Sequence, residues 1–276
     1  MTAMPTRRSR FRAAVADTDR PAIGTWVKLP VMESIEMSAA AGFDFVVIDL
    51  EHSAMSTETA FRQIGVALLA GLSPIARVPA LDGGMVSRLL DAGAEGIMLP
   101  HVDTAADAEA AVAAMRFAPR GDRGMGPTSR AGAWGLGSYD EYVRYGQEEA
   151  VLIAQIESAL AVENAAGIAR VPGVDALLIG STDLAASEGR AGSDPVVQAL
   201  MAEAVAAARS AGTPIGNAGG VAPESVQAAA DNGYSFSVMS NDATLLAAAL
   251  SAAATAGRTA QYRHDDGVRR RKDIDQ

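Results

Sequence analysis

Residues 42–52 read Gly42-Phe43-Asp44-Phe45-Val46-Val47-Ile48-Asp49-Leu50-Glu51-His52: a glycine that closes a helical stretch, a short apolar run, then an abrupt cluster of charge. An apolar run this short, bounded by turn residues, predicts a buried strand over Phe45–Ile48, and Gly42 ends the helix predicted over Glu33–Ala41. The same alternation recurs in both directions along the chain. Strands are predicted at Ala22–Val27, Ser73–Arg77, Gly96–Leu99, Val151–Ile156, Ala176–Ile179, Pro214–Gly216 and Phe236–Met239, and the intervening alanine-rich segments carry helical periodicity. Repeated strand–helix units with no break in composition predict one (β/α)8 TIM barrel over residues 21–257, with an N-terminal extension (1–20) and a polar tail (258–276) expected to be disordered. A doubly wound sheet would instead place a glycine-rich phosphate turn after its first strand, where this chain has Lys28-Leu29-Pro30.

Composition narrows the function classes. The 276 residues are 49% hydrophobic and contain no cysteine, which excludes disulfide scaffolds, thiol nucleophiles and cysteine-ligated zinc and makes a cytoplasmic location the expectation. No apolar stretch is long enough for a membrane span, so no membrane partner is expected. The net charge of −10 becomes more negative once the basic ends are set aside. An acidic body argues against nucleic-acid binding across the main surface. The run Arg269-Arg270-Arg271-Lys272 reads as a solvated tail, and His264 within it receives no role. The stretch Pro119–Glu149 is long for a connection and rich in glycine, which marks it as functional or mobile, with a short helix expected at Tyr139–Glu149.

In a barrel, the residues just after each strand build the active site. Here they are Asp49, Glu51 and His52 after the second strand, Arg77 at the end of the third, His101 after the fourth, Gln155 and Glu157 at the fifth, and Ser181, Thr182 and Asp183 after the sixth. Carboxylates in a barrel mouth are costly to desolvate unless a cation meets them, so Glu157 and Asp183 suggest a shared hard divalent ion. The alternative is a Glu157–Arg77 ion pair with Asp183 capping a helix. Asp49 can likewise cap the segment from Ser53, and His101, without a partner in sequence, reads as structural or supporting.

In these motifs, Ile48-Asp49-Leu50-Glu51-His52, Ala76-Arg77-Val78-Pro79, Leu89-Leu90-Asp91-Ala92-Gly93-Ala94, Leu99-Pro100-His101-Val102, Arg120-Gly121-Asp122-Arg123-Gly124, Gln155-Ile156-Glu157 and Gly180-Ser181-Thr182-Asp183-Leu184, the chain resembles the HpcH/HpaI family of metal-dependent 2-oxo-acid aldolases. The resemblance runs in order over roughly residues 20–256. It implies reversible cleavage of a 4-hydroxy-2-oxo acid, in aromatic or sugar-acid catabolism, to pyruvate and an aldehyde through a metal-stabilised pyruvate enolate. It further implies Glu157 and Asp183 as ligands of Mg2+, Mn2+ or Co2+, Arg77 beside the 2-oxo oxygen, and His52 as the catalytic histidine with Asp91 orienting it. Gln155, Ser181, Thr182 and Asp183 are implied at the substrate, with Asp49 and Glu51 supporting the motif from behind. A homo-oligomer, hexamer or trimer, that exchanges the last helix, Ala243–Ala256, is also implied.

Some positions depart from the family pattern: Ser181 stands where proline is usual, and the seventh and eighth loops read Asn217-Ala218-Gly219-Gly220 and Met239-Ser240-Asn241-Asp242. These loops shape the aldehyde end of the pocket. Arg123 reads as a residue that ties its loop down rather than one that meets substrate. Other readings are an imine-forming aldolase, for which Lys28 is the candidate lysine, an acyl-CoA or related carbon–carbon lyase, and a noncatalytic barrel that binds an oxo acid.

Overall fold

A computed structural model describes residues 7–17 and 19–260. The elements are α1 (Arg10–Val15), β1 (Ala22–Val27), α2 (Glu33–Ala40), β2 (Phe45–Asp49), α3 (Thr57–Ala70), β3 (Ser73–Arg77), α4 (Gly83–Asp91), β4 (Gly96–Leu99) and α5 (Ala105–Met115). They continue with α6 (Tyr139–Arg144), β5 (Val151–Ile156), α7 (Ala159–Ala169), β6 (Ala176–Ile179), α8 (Ser181–Ser187), α9 (Pro195–Ala211), β7 (Ile215–Gly219), α10 (Pro223–Asp231), β8 (Phe236–Asn241) and α11 (Asp242–Thr259). The eight strands close into a barrel in chain order, all paired in parallel. This is the (β/α)8 architecture expected from the sequence. No described helix is long and apolar enough to cross a membrane. The basic run Arg269–Lys272 and His264 lie outside the described residues.

Strand alternation explains both the core and the mouth. Val46, Ile48, Ala76, Leu152, Ala154 and Ile156 pack outward under the helices. Phe45, Val47, Ile75, Val151 and Ile153 fill the barrel interior. Continuing that inward parity by one or two steps of two residues brings Asp49, Arg77, Gln155 and Glu157 to the C-terminal rim. Gly24 also serves the interior, because a Cβ there would stand 2.2 Å from the Phe45 ring.

The opposite end of the barrel is closed by the N-terminal segment, which the sequence reading set apart from the barrel. Phe11 of α1 is fully buried, with its ring 5.2 Å from Phe45 and 5.3 Å from Phe236, both edge-on. The buried Glu95 carboxylate accepts from the backbone N–H of Arg10 at 2.9 Å and from the Ser73 hydroxyl at 2.7 Å, so it also meets the N-terminus of α1, where an anion is favourable. Two bulky rings at the strand starts leave an apolar opening that a third ring fills. α1 is too short for its sequence to have announced this.

Two further differences have physical causes. β7 extends through Asn217-Ala218-Gly219, residues with little intrinsic strand preference, because closure pairs Ala218 with Val238 and Gly219 with Met239. Pro119–Glu149 is tied down at several points: Arg123 donates to Asp91 at 2.7 Å, Gly126 N–H to the Tyr142 hydroxyl at 2.8 Å, and Arg130 to the Ala92 carbonyl at 2.6 Å. The short helix expected there is α6 followed by a π-helical turn, Tyr145–Glu149.

The chain separates into two compact units, the first ending at Asp242 and the second beginning at Ala243. α11 is therefore described by itself: it is helical over Asp242–Thr259, and none of its residues is buried.

Candidate active site

The rim residues surround a cavity of about 370 Å³, lined by Trp26 and Lys28 from β1 and its loop, His52, Arg77, Gln155, Glu157, Gly180–Asp183 and the ends of β7 and β8. That size suits a small ligand. Asp49 and Arg77 anchor one wall. Arg77 Nε and Nη2 donate to the two oxygens of the fully buried Asp49 carboxylate at 3.0 and 2.7 Å. Asp49 Oδ1 also accepts from the backbone N–H groups of Glu51 and His52 at 3.0 and 3.1 Å. Burial alone would raise the Asp49 pKa, but the Arg77 hydrogen bond and charge, the His52 N–H and the Lys28 charge outweigh it and hold the carboxyl below its ordinary value.

Arg77 is fixed on its other sides too. Its Nη1 lies 3.1 Å from Glu51 Oε2, and its guanidinium stacks 4.1 Å from the Trp26 ring centroid. Trp26 was not singled out in the sequence, although its inward parity on β1 is the signal that marks it. Lys28 Nζ stands 3.4 Å from Asp49 Oδ2.

On the facing wall, Glu157 is buried and accepts from Gln155 Nε2 at 2.7 Å and from the His101 backbone N–H at 3.0 Å. The His101 ring is a further partner, with Nδ1 at 3.3 Å from Glu157 and Nε2 at 3.9 Å from Glu51. Burial pushes the Glu157 pKa up; the His101 N–H and ring oppose this, and the charges of Asp183 and Glu51 add to it. The partners of Glu157 are thus Gln155 and His101, and Arg77 is committed elsewhere, so the Glu157–Arg77 pairing is not formed. Asp183 is in the first turn of α8, whose N-cap position, Gly180, makes no side-chain cap bond, so Asp183 is not a cap residue.

Several features of this wall fit a hard divalent cation. Gln155 Oε1 is a buried acceptor without a partner, beside a desolvated carboxylate. Each Glu157 oxygen keeps a lone pair after its hydrogen bonds. A Cβ at position 180 would stand 2.4 Å from Glu157 Oε1, so only glycine leaves that oxygen its place. Among the described residues no group of three or more His, Asp or Glu side chains is arranged to hold a metal ion by itself; two carboxylates with water or substrate completing the shell match the habits of Mg2+.

His52 lines the cavity, and its ring is half exposed, 3.8 Å from Glu51 through Nε2. The pairing with Asp91 expected from the sequence is not made within the chain. Asp91 ends α4, accepts from the buried Arg123, and lines a separate cavity with Phe61, Arg130 and Trp134. Arg123 also stacks 4.7 Å from the Phe117 ring centroid, so this pair ties the long loop to α4. The sequence spacing could not show this, because Arg123 lies 32 residues further along the chain and reaches α4 only through the path of the long loop.

Residues 22–262 match the HpcH/HpaI aldolase/citrate lyase family. The chain belongs to this family. It is 38% identical over 73% of its length, and 78% of the relative's, to a 4-hydroxy-2-oxovalerate aldolase of Rhodococcus jostii. It is 35% identical over 87% of its length, and 93% of the relative's, to a hydroxypyruvate/pyruvate aldolase of Chromohalobacter salexigens. A crystal structure of an HpcH/HpaI family protein from Burkholderia cenocepacia superposes with a TM-score of 0.83 at 33% identity, covering 90% of this chain and 99% of that one. As a member of the HpcH/HpaI family, the chain is a carbon–carbon lyase.

Proposed function

We propose that this protein is a divalent-cation-dependent aldolase that reversibly cleaves a 4-hydroxy-2-oxo acid to pyruvate and an aldehyde. The observation that carries this reading is the opposition, across one cavity, of a guanidinium held rigid by Asp49, Glu51 and Trp26 to a carboxylate wall of Glu157 and Asp183. The aldolase names of two relatives, one of which names pyruvate, agree with it.

A divalent ion held by Glu157 and Asp183, Mg2+, Mn2+ or Co2+, would supply Lewis-acid polarisation of the 2-oxo acid. The chain's own groups do the rest. Arg77 has five N–H donors, of which two are spent on Asp49 and one lies against Glu51; the remainder lie toward the 2-oxo oxygen, where negative charge develops as the C3–C4 bond breaks. Because the guanidinium is fixed beforehand, little reorganisation accompanies the reaction. His52 takes the 4-hydroxyl proton as the C3–C4 bond breaks and the aldehyde leaves, and it returns a proton, directly or through water, to C3 of the enolate to give pyruvate. The uncapped first turn of α8, with Ser181, Thr182 and Asp183, offers backbone N–H groups to the substrate carboxylate.

The enzyme is further proposed to work as a homo-oligomer, hexamer or trimer, that exchanges α11. Leu245, Leu246 and Leu250 of that helix are exposed, a pattern that suits burial against a second copy. A monomer at micromolar concentration by sedimentation rejects the exchange.

The test of the activity is pyruvate release from a racemic 4-hydroxy-2-oxo acid before and after chelation, with Mg2+, Mn2+ or Co2+ restored and borohydride trapping in parallel. Activity lost to chelator, recovered with metal and not trapped is expected. Chelator-resistant activity trapped on Lys28 overturns the mechanism, and no release with any metal overturns the aldolase reading.

A further inference from the structure

Lys28 lies just past β1, and its side chain enters the active cavity. In a barrel closed in the order β1 to β8, β1 lies diametrically across from β5, which carries Glu157. The lysine therefore stands on the wall across from Glu157, beside Asp49. Its backbone is pinned, since the N–H groups of Lys28 and Leu29 donate to the Asp242 carboxylate at 2.9 and 3.1 Å.

The charge at Lys28 is in excess of local need. Its neighbour Asp49, at 3.4 Å, already accepts from two Arg77 nitrogens and two backbone N–H groups. The ammonium meets Asp49 as an ion pair at 3.4 Å, which leaves N–H donors for a further acceptor on a chain fixed at its base. Around it the wall is polar and small: Ser240 and Asn241 end β8, and Ala218 and Gly219 end β7. For a substrate whose 2-oxo acid end sat between Arg77, Glu157 and Asp183, this wall of the same cavity would be open to the C4 substituent. An anionic substituent would be repelled by the carboxylates on the far side and attracted here.

We propose that Lys28 determines aldehyde specificity, selecting aldehydes that carry a carboxylate by pairing with that group at the end of the substrate away from the pyruvyl carbons. The inference rests on the aldolase reading and adds the class of the second product. A hydroxyl in the same place gains a weaker, uncharged hydrogen bond.

The experiment measures kcat/KM for addition of pyruvate to two matched pairs of aldehydes: glyoxylate against glycolaldehyde, and succinate semialdehyde against 4-hydroxybutanal. The proteins are the wild type, Lys28→Met, Lys28→Gln and Lys28→Arg. The ratio of charged to uncharged substrate is formed within each protein, so partial misfolding cancels. The wild type is expected to favour the charged member of at least one pair about tenfold or more; Met and Gln are expected to remove that preference and Arg to keep most of it. A wild type that favours the uncharged member of both pairs, or Met and Gln variants whose ratios stay within about twofold of the wild type, overturns the assignment. Exchange of pyruvate methyl protons into deuterated water by the wild type separates the two ideas. Absence of both exchange and addition overturns the aldolase reading itself, whereas both occurring with an unchanged ratio overturns only the role of Lys28.

Discussion

Asp49 and Arg77 are register partners on β2 and β3, and their side chains close a two-point ion pair of 3.0 and 2.7 Å at the barrel rim. Parallel pairing puts the two Cα atoms side by side, and shared inward parity aims both side chains into the mouth. The pair holds the guanidinium in one orientation, and several consequences can be measured.

Replacing Arg77 by Lys keeps a positive charge but loses the fork that Asp49 holds and the stacking on Trp26. Turnover in pyruvate release is expected to fall by about 10²–10³-fold, the scale seen on loss of a preorganised donor, with a smaller change in KM. A rise in KM alone would contradict a role at the developing charge.

Asp49→Asn leaves a buried guanidinium short of its counter-charge and is expected to cost about 3–5 kcal/mol in denaturant unfolding. The folded pKa of Asp49 lies below its unfolded value near 3.8. Its contribution is therefore complete above that value and is lost as pH falls through the depressed folded value. The stability gap between wild type and variant should stay flat between about pH 5 and 8 and narrow only in stronger acid.

At Gly180 the backbone is compatible with alanine, at φ −86° and ψ 77°, but the added Cβ would stand 2.4 Å from Glu157 Oε1. Gly180→Ala should fold with near wild-type far-UV circular dichroism and bind Mn2+ about 10–100-fold more weakly in calorimetry, as displaced supporting groups do at metal sites. Unchanged Mn2+ affinity would separate Glu157 from the cation.

Phe11→Ala empties the ring position between Phe45 and Phe236 and is expected to cost about 3–5 kcal/mol, read from urea unfolding. A loss under about 1 kcal/mol would mean that α1 is dispensable to the barrel floor.

Asp91→Asn weakens the tie from Arg123 to α4. Limited proteolysis should then cut faster within residues 119–149, by about fivefold for each 1 kcal/mol removed from local opening. Unaltered cleavage together with lost turnover would return Asp91 to the catalytic role that the sequence implied.

The sequence by itself determined the barrel and the set of polar residues at its mouth, because both are written in local periodicity: short apolar runs, helical segments, and charge where each strand stops. The alternation that buries Val47 and Ile153 also fixes the inward aim of Asp49 and Gln155. Only the tertiary structure decided the partnerships. Asp49 rather than Glu157 holds Arg77 because β2, not β5, is hydrogen-bonded to β3; Asp91 goes to Arg123 because of how α4 meets a distant loop; Phe11 plugs the floor from a helix of six residues. His101 gains its partner Glu157 through adjacency of β4 and β5, which no spacing along the chain records. Long-range pairing depends on which surfaces barrel closure brings within a few ångströms, and that geometry belongs to the fold as a whole.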